Sequence, residues 1–212
     1  MEVISVNRGK ARTLDWQGTE VSTGIFKYPV NGPIELGFTD VVEDDVVDRK
    51  NHGGVDKAVY AYSLDHYPFW RDHYPDIDWQ NGIFGENLTV SGMNEEKLLI
   101  GSIYNIGEAQ VQVCQPRQPC FNLGVRFNSQ TILKQFINQP FPGVYFRVLQ
   151  EGRVRPGDSF NPISIQSDSP SITEVFSLLF HKQDNEKTIA KAMECEYLPT
   201  KCKTRIEKIQ EL

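Results

Sequence analysis

Between residues 1 and 163 the chain repeats one kind of segment: VISV, IELGF, DVVEDDVVD, AVYAY, ENLTV, LLIGSIYNI, AQVQVC and VYFRVL. Each is short and rich in β-branched and aromatic residues, and Gly, Asn or Pro separates it from the next. Long helical connections are scarce between them, so the strands cannot return in parallel through βαβ crossovers. The pattern therefore predicts a mainly β fold closed as a barrel or sandwich, with a few helices.

Two helical patterns interrupt the strands. In SLDHYPFWRDHY, Ser63 is placed to cap and Tyr67, Trp70 and Tyr74 share a face, although Pro68 sits awkwardly for a helix. In NSQTILKQFINQ, Ile132, Leu133, Phe136 and Ile137 form an apolar stripe. The texture changes after NPISIQSDSPS, where Ser, Asp and Pro mark a linker. Ser171 and Glu174 have the capping-box spacing ahead of VFSLLF, Asp184 is placed to cap a second helix, and Pro199 to open a third. The expected organisation is a β domain over 1–163 and a three-helix unit over 168–212. That unit is too small to stand alone, so it leans on the β domain or on a second subunit as a homodimer.

The 212 residues carry a net charge of −6, which argues against a nucleic-acid or anionic-membrane partner and confines any anion site to a local cation cluster. No apolar run approaches the length that spans a bilayer. The N-terminal MEVISVNRGKARTLDW meets charge too early for a secretory leader, so a cytoplasmic location is expected. Four cysteines, Cys114, Cys120, Cys195 and Cys202, include no C-x2-C pair and suit neither a disulfide scaffold nor a zinc site.

Cys120 stands apart from the other three. Cys114 alternates within a strand, and Cys195 and Cys202 fall on helical patterns, all consistent with core filling. Cys120 follows Pro116 and Pro119, which end the strand and stiffen what comes next. Arg117 and Arg126 lie near enough in sequence to favour its thiolate, the form that attacks or binds metal. C-x5-R also spaces Cys120 and Arg126 as in cysteine-dependent phosphatases. The intervening FNLGV is too apolar for a phosphate cradle, however, and proline precedes the thiol.

A second cluster, DRKNHGGVDKAVYAY, gathers Arg49, Lys50, His52 and Lys57 around Gly53 and Gly54, as a phosphate or carboxylate site would. The bland alternative is a solvated basic hairpin paired with Asp48 and Asp56. His66 and His73 read as surface or packing residues. GIFGENLTV brings Glu86 and Asn87 to a strand start. In GVYFRVLQEGRVRPGD, Arg147 alternates with Tyr145 and needs an anionic partner, from protein or ligand.

In this order, DRKNHGGVDKAVYAY, HYPFW, FGENLTV, IGSIYNIGEAQVQVCQPRQPCFNL and GVYFRVLQEGRVRPGD resemble the MOSC domain, named for the molybdenum cofactor sulfurase C-terminal region. They are most similar to its stand-alone bacterial branch linked to hydroxylaminopurine resistance, whose C-terminal three-helix domain the tail resembles. The resemblance implies a β-barrel-like domain that binds the molybdenum cofactor (molybdopterin). It implies Cys120 as metal ligand or persulfide carrier and, with Arg117, as catalytic. It further implies cofactor contacts from Arg49, Lys50, His52, Gly53, Gly54, Lys57, Asn87, Arg117 and Arg147. The family's QPR-x-PC is intact here, but FN replaces its commoner small-then-lysine pair.

The implied activity is a molybdenum-dependent oxidoreductase that reduces small N-hydroxylated bases in detoxification. With no G-x-G-x-x-G and no iron–sulfur cysteine set, a redox partner protein must deliver the electrons. The rival reading is a non-enzymatic sulfur or cofactor carrier using a Cys120 persulfide. Pyridoxal phosphate binding, inferred for the wider family, finds no distinguishable Schiff-base lysine here.

Overall fold

In the computed structural model, which describes residues 1–182 and 185–211 and only the backbone of Lys50 and Asn51, the expected mainly β architecture is present. The strands are β1 (Glu2–Arg8), β2 (Arg12–Trp16), β3 (Thr19–Thr23), β4 (Tyr28–Pro29), β5 (Ile34–Leu36), β6 (Val59–Ser63), β7 (Leu88–Ser91), β8 (Ile103–Ile106), β9 (Ala109–Pro116), β10 (Val144–Gln150), β11 (Gly152–Val154) and β12 (Asn161–Ser164). The helices are α1 (Arg49–His52), α2 (Tyr67–His73), α3 (Phe121–Arg126), α4 (Thr131–Ile137), α5 (Ile172–Phe180), α6 (Glu186–Glu194) and α7 (Thr200–Glu211). Eight strands form one sheet curled into a half-barrel, in the order β12-β8-β9-β10-β6-β7-β1-β4. Its neighbours pair antiparallel except β6 and β7.

The central strands show why the sheet is covered on both faces. Along β6 every residue is buried, yet Val59 and Ala61 join an aliphatic cluster while Tyr60 and Tyr62 join an aromatic one. Period-two alternation thus separates two kinds of core. β10 repeats the division, with Val144, Phe146 and Val148 on the aliphatic side and Tyr145 on the aromatic side. The aromatic cluster takes in Tyr67 and Trp70 of α2 and Ile132 and Phe136 of α4. Pro68 is accommodated in the first turn of α2, where its missing N–H costs nothing.

Two expectations need correction. DVVEDDVVD is not a strand, since Val41 alone makes an isolated bridge, to Leu36. Its carboxylates instead serve neighbouring donors: Asp44 accepts from the Gly9 N–H at 2.8 Å and Asp45 from the Ala11 N–H at 2.9 Å. Side-chain acceptors of this kind compete with a strand ladder. LLIGSIYNI is extended only over β8, because Gly101 turns the chain at φ +86°, where a Cβ would lie 2.3 Å from the Tyr197 ring. In addition, WQGT is the turn of the β2–β3 hairpin, with Gln17 at φ 53° and Gly18 at φ 79°.

The tail forms three helices. Ser171 and Glu174 make the reciprocal capping box of α5. The cap expected at Asp184 lies outside the described residues; the Asn185 side chain accepts the Thr188 N–H and caps α6. Ile172, Val175, Leu178, Ala192, Cys202 and Ile206 belong to the same apolar cluster as Val111, Val113 and Val144 of the sheet. The β domain, one of the two supports expected for the tail, is in contact with it. Among the described residues no helix is long and apolar enough to cross a membrane.

Candidate functional site

β9 carries its pairing with β10 as far as Pro116, and a bulge leaves Cys114 without a partner between Val113 and Gln115. Cys114 is buried at 0% exposure beside the Asp56 carboxylate, 3.8 Å away, and burial pushes its thiol well up. Four residues beyond the strand, Cys120 takes an extended conformation (φ −131°, ψ 171°) as the residue immediately before α3. It is half-buried, whereas Cys114, Cys195 and Cys202 are buried. α3 forms because Leu123 and Val125 sink into the aromatic cluster, and this fixes the direction of its N-terminal end.

Burial raises the Cys120 thiol, but its hydrogen bond with His52, the charges of His52 and Arg117, and the Asn122 N–H outweigh that, bringing it down to about 7. A substantial thiolate fraction at neutral pH follows. Arg117 is 5% exposed and held from several sides. Its Nη1 donates to Phe84 O at 2.5 Å and to Tyr60 Oη at 3.4 Å, and its guanidinium lies 4.9 Å from the Tyr60 ring centre. Burial alone would lower Arg117, yet Tyr60, Tyr145 and Cys120 raise it, so it stays charged. Lys57 is lowered, chiefly by burial, and its ammonium lies 5.7 Å from the Tyr145 ring centre.

Two cavities meet at Cys120, and His52, Lys57 and Asp48 also line both. The inner one is bounded by Lys27, Asp40, Asp44, Tyr60, Asn87 and Arg117. Carboxylates, an amide and cations thus share its lining. The outer one opens between Gly53–Asp56, the Cys120 segment and the first turns of α7.

The MOSC domain family matches residues 48–161, which include α1, the whole of β9 and Cys120. Uncharacterized protein YflK of Bacillus subtilis is 38% identical over 191 residues, covering 90% of this chain and 86% of YflK. The chain belongs to the MOSC domain family. The crystal structure of YiiM from Geobacillus stearothermophilus superposes with a TM-score of 0.81 at 31% identity, covering 99% of this chain and 98% of that one. A protein named "Reductase" from Gibberella moniliformis (strain M3125 / FGSC 7600) is 33% identical over 86% of this chain, which spans only 32% of its length.

Within this MOSC domain the sequence-selected residues part company. Cys120, His52 and Lys57 meet at the junction of the cavities, Arg117 and Asn87 line the inner one, and Gly53 and Gly54 line the outer one. Asn87 also has internal work: its Nδ2 donates to Asp44 at 3.0 Å and its Oδ1 accepts the Tyr60 N–H at 3.3 Å. Gly54, at φ +89°, points its N–H at Thr39 O rather than toward a ligand.

Arg49 and Arg147 are not among the residues lining either cavity. Arg49 pairs with Asp40 at 2.5 Å on the surface. Arg147 finds its anionic partner in Asp56 at 2.6 Å, and also donates to Gln112 and to Tyr197 O. The side chain of Lys50 lies outside the described residues. Arg126 sits at the far end of α3, donating to Ile83 O, so C-x5-R builds no phosphate cradle.

Sequence reasoning missed Lys27 and Asp44, an ion pair beneath the inner cavity, together with Lys201, Cys202 and Arg205 of α7. Five acids in nine residues of DVVEDDVVD were the available signal for the first pair. Nothing local announced the second group.

Proposed function

We propose that this MOSC protein binds the molybdenum cofactor in the inner cavity and reduces small N-hydroxylated bases, such as hydroxylaminopurine, with electrons from a partner protein. The observation that carries the reading is the Cys120 thiol, brought down to about 7 by His52 and Arg117 at the meeting point of two cavities. The donor set suits the group. A soft thiolate matches a thiophilic metal, and among the described residues no cluster of three or more His, Cys, Asp or Glu side chains offers an alternative metal site. Carboxylates and the Asn87 amide match the donor edges of a pterin, and Lys57 and Arg117 its anionic parts.

The cofactor, when bound, supplies two-electron redox chemistry at its metal. The overall change balances as R–NH–OH plus two electrons and two protons giving R–NH2 and water. Cys120 would hold the metal through Sγ. Arg117, immobilised by Phe84 O and Tyr60, would fix the negative charge gathered beside that sulfur. His52, which bonds to the thiol and borders both cavities, would hand a proton to the departing hydroxyl oxygen. The name of the Gibberella relative is consistent with reduction.

Molybdenum and pterin are to be measured in protein expressed with molybdate, wild type against Cys120→Ala. The variant is expected to fall to background; equal content in both overturns the ligand assignment. The same thiol also favours the carrier reading, which would show as one additional sulfur on the Cys120 peptide by mass spectrometry.

A further inference from the structure

The outer cavity asks for a ligand of its own. Its wall comes partly from the tail, where α7 contributes Lys201 and Arg205 opposite Lys57. Arg205 is fixed in place: Nη1 donates to the neutral Gln118 amide oxygen at 2.6 Å, and the guanidinium packs 4.7 Å from the Phe180 ring centre. A guanidinium anchored on neutral groups keeps both its charge and its other donors for an incoming anion. Asp48 and Asp56 share the cavity, but Asp56 is engaged by Arg147 at 2.6 Å. The lining also includes Phe121, 44% exposed although the Trp16 ring packs at right angles to it, ring centres 5.0 Å apart. That is a pinned aromatic face one residue from Cys120, suited to a planar base.

We infer that the outer cavity binds a phosphate monoester, with Lys201 and Arg205 on the phosphate and Phe121 against the base, so that the N-hydroxylated bases reduced include those carried by nucleoside monophosphates. The anion site stands on the cavity and its cations alone. Its assignment to substrate rests on the reductive reading proposed above.

Adenosine 5′-monophosphate and adenosine serve as probes, titrated by calorimetry into the full chain as wild type and as a Lys201→Gln/Arg205→Gln double variant. In wild type the monophosphate is expected to bind about tenfold more tightly than the nucleoside. The preference is expected to disappear in the double variant and to weaken with added salt. Equal affinity for the two probes in wild type overturns the site. Molybdenum and pterin content of the double variant separates the two sources of phosphate. Wild-type content is the expected result, and loss would give the site to the cofactor's own phosphate and overturn the substrate assignment. Lys201→Arg/Arg205→Lys retains charge and is expected to keep most of the preference, which separates a charge effect from a folding defect. Retention of molybdenum by Cys120→Ala would remove the reductive reading and leave these binding results standing.

Discussion

Cys120 separates from its three fellow cysteines by its environment. Cys202 is 1% exposed, donates to Gln115 Oε1 at 3.1 Å and is pushed up to about 11 by burial, whereas Cys120 is half-buried and brought down to about 7. Alkylation by iodoacetamide is therefore expected to label Cys120 alone in the native protein. Its rate should rise with pH around a midpoint near 7, as the thiol ionises. The sign is that of a depressed acid: the thiolate and its stabilising contacts are present above that midpoint and vanish below it. His52→Ala removes a hydrogen bond and a charge and is expected to move the midpoint upward, as read by mass spectrometry across a pH series. An unmoved midpoint would mean that Arg117 and Asn122 suffice. The thiol was legible in the sequence because two prolines announce where the strand stops. His52, although picked out in the basic cluster, could not be joined to Cys120 on paper, because that contact crosses from one chain segment to another.

At the scale of elements, the turn Gly82–Asn87 decides where Arg117 and Asn87 stand. It is built around one buried carboxylate. Glu86 accepts the Gly82 N–H at 2.8 Å, the Phe84 N–H at 3.0 Å, the Thr89 hydroxyl at 2.8 Å and the Tyr67 hydroxyl. Burial still holds its carboxyl above the ordinary range despite these donors. Phe84 O, on the same turn, accepts from Arg117. Glu86→Ala strands four donors, and the expected loss is about 3 kcal/mol in urea unfolding; Glu86→Gln, which preserves volume and one acceptor, should lose less. A loss below ~1 kcal/mol for the alanine variant would show that the turn holds without the carboxylate. FGENLTV was readable as a turn into a strand, but its energetic centre was not. A glutamate before a strand looks solvated until the partners 82, 84, 67 and 89 are in space. The acidic run at 40–48 failed as a strand for the converse reason: its valines suggested β structure while its carboxylates were committed to backbone donors.

At the scale of the whole molecule, sheet and tail share one apolar cluster. Leu178 and Val175 of α5 are buried at 0% in the same cluster as Val111 and Val113 of β9. Unfolding is therefore expected as one cooperative transition reported alike by tryptophan fluorescence and by helical circular dichroism. Leu178→Ala should lower its stability by about 3 kcal/mol. Two separate transitions would show that the tail is an independent unit. The mainly β class and the three tail helices were legible because each rests on local periodicity and caps. The outer cavity was not, because it exists only where α7 meets the segment around Gln115 and Gln118, through contacts spanning 87 positions. That separation also sets an order of events during synthesis. Cys120 leaves the ribosome well before Lys201 and Arg205, so the thiol is reached from an open side until α7 docks. The outer cavity therefore acquires its α7 wall last.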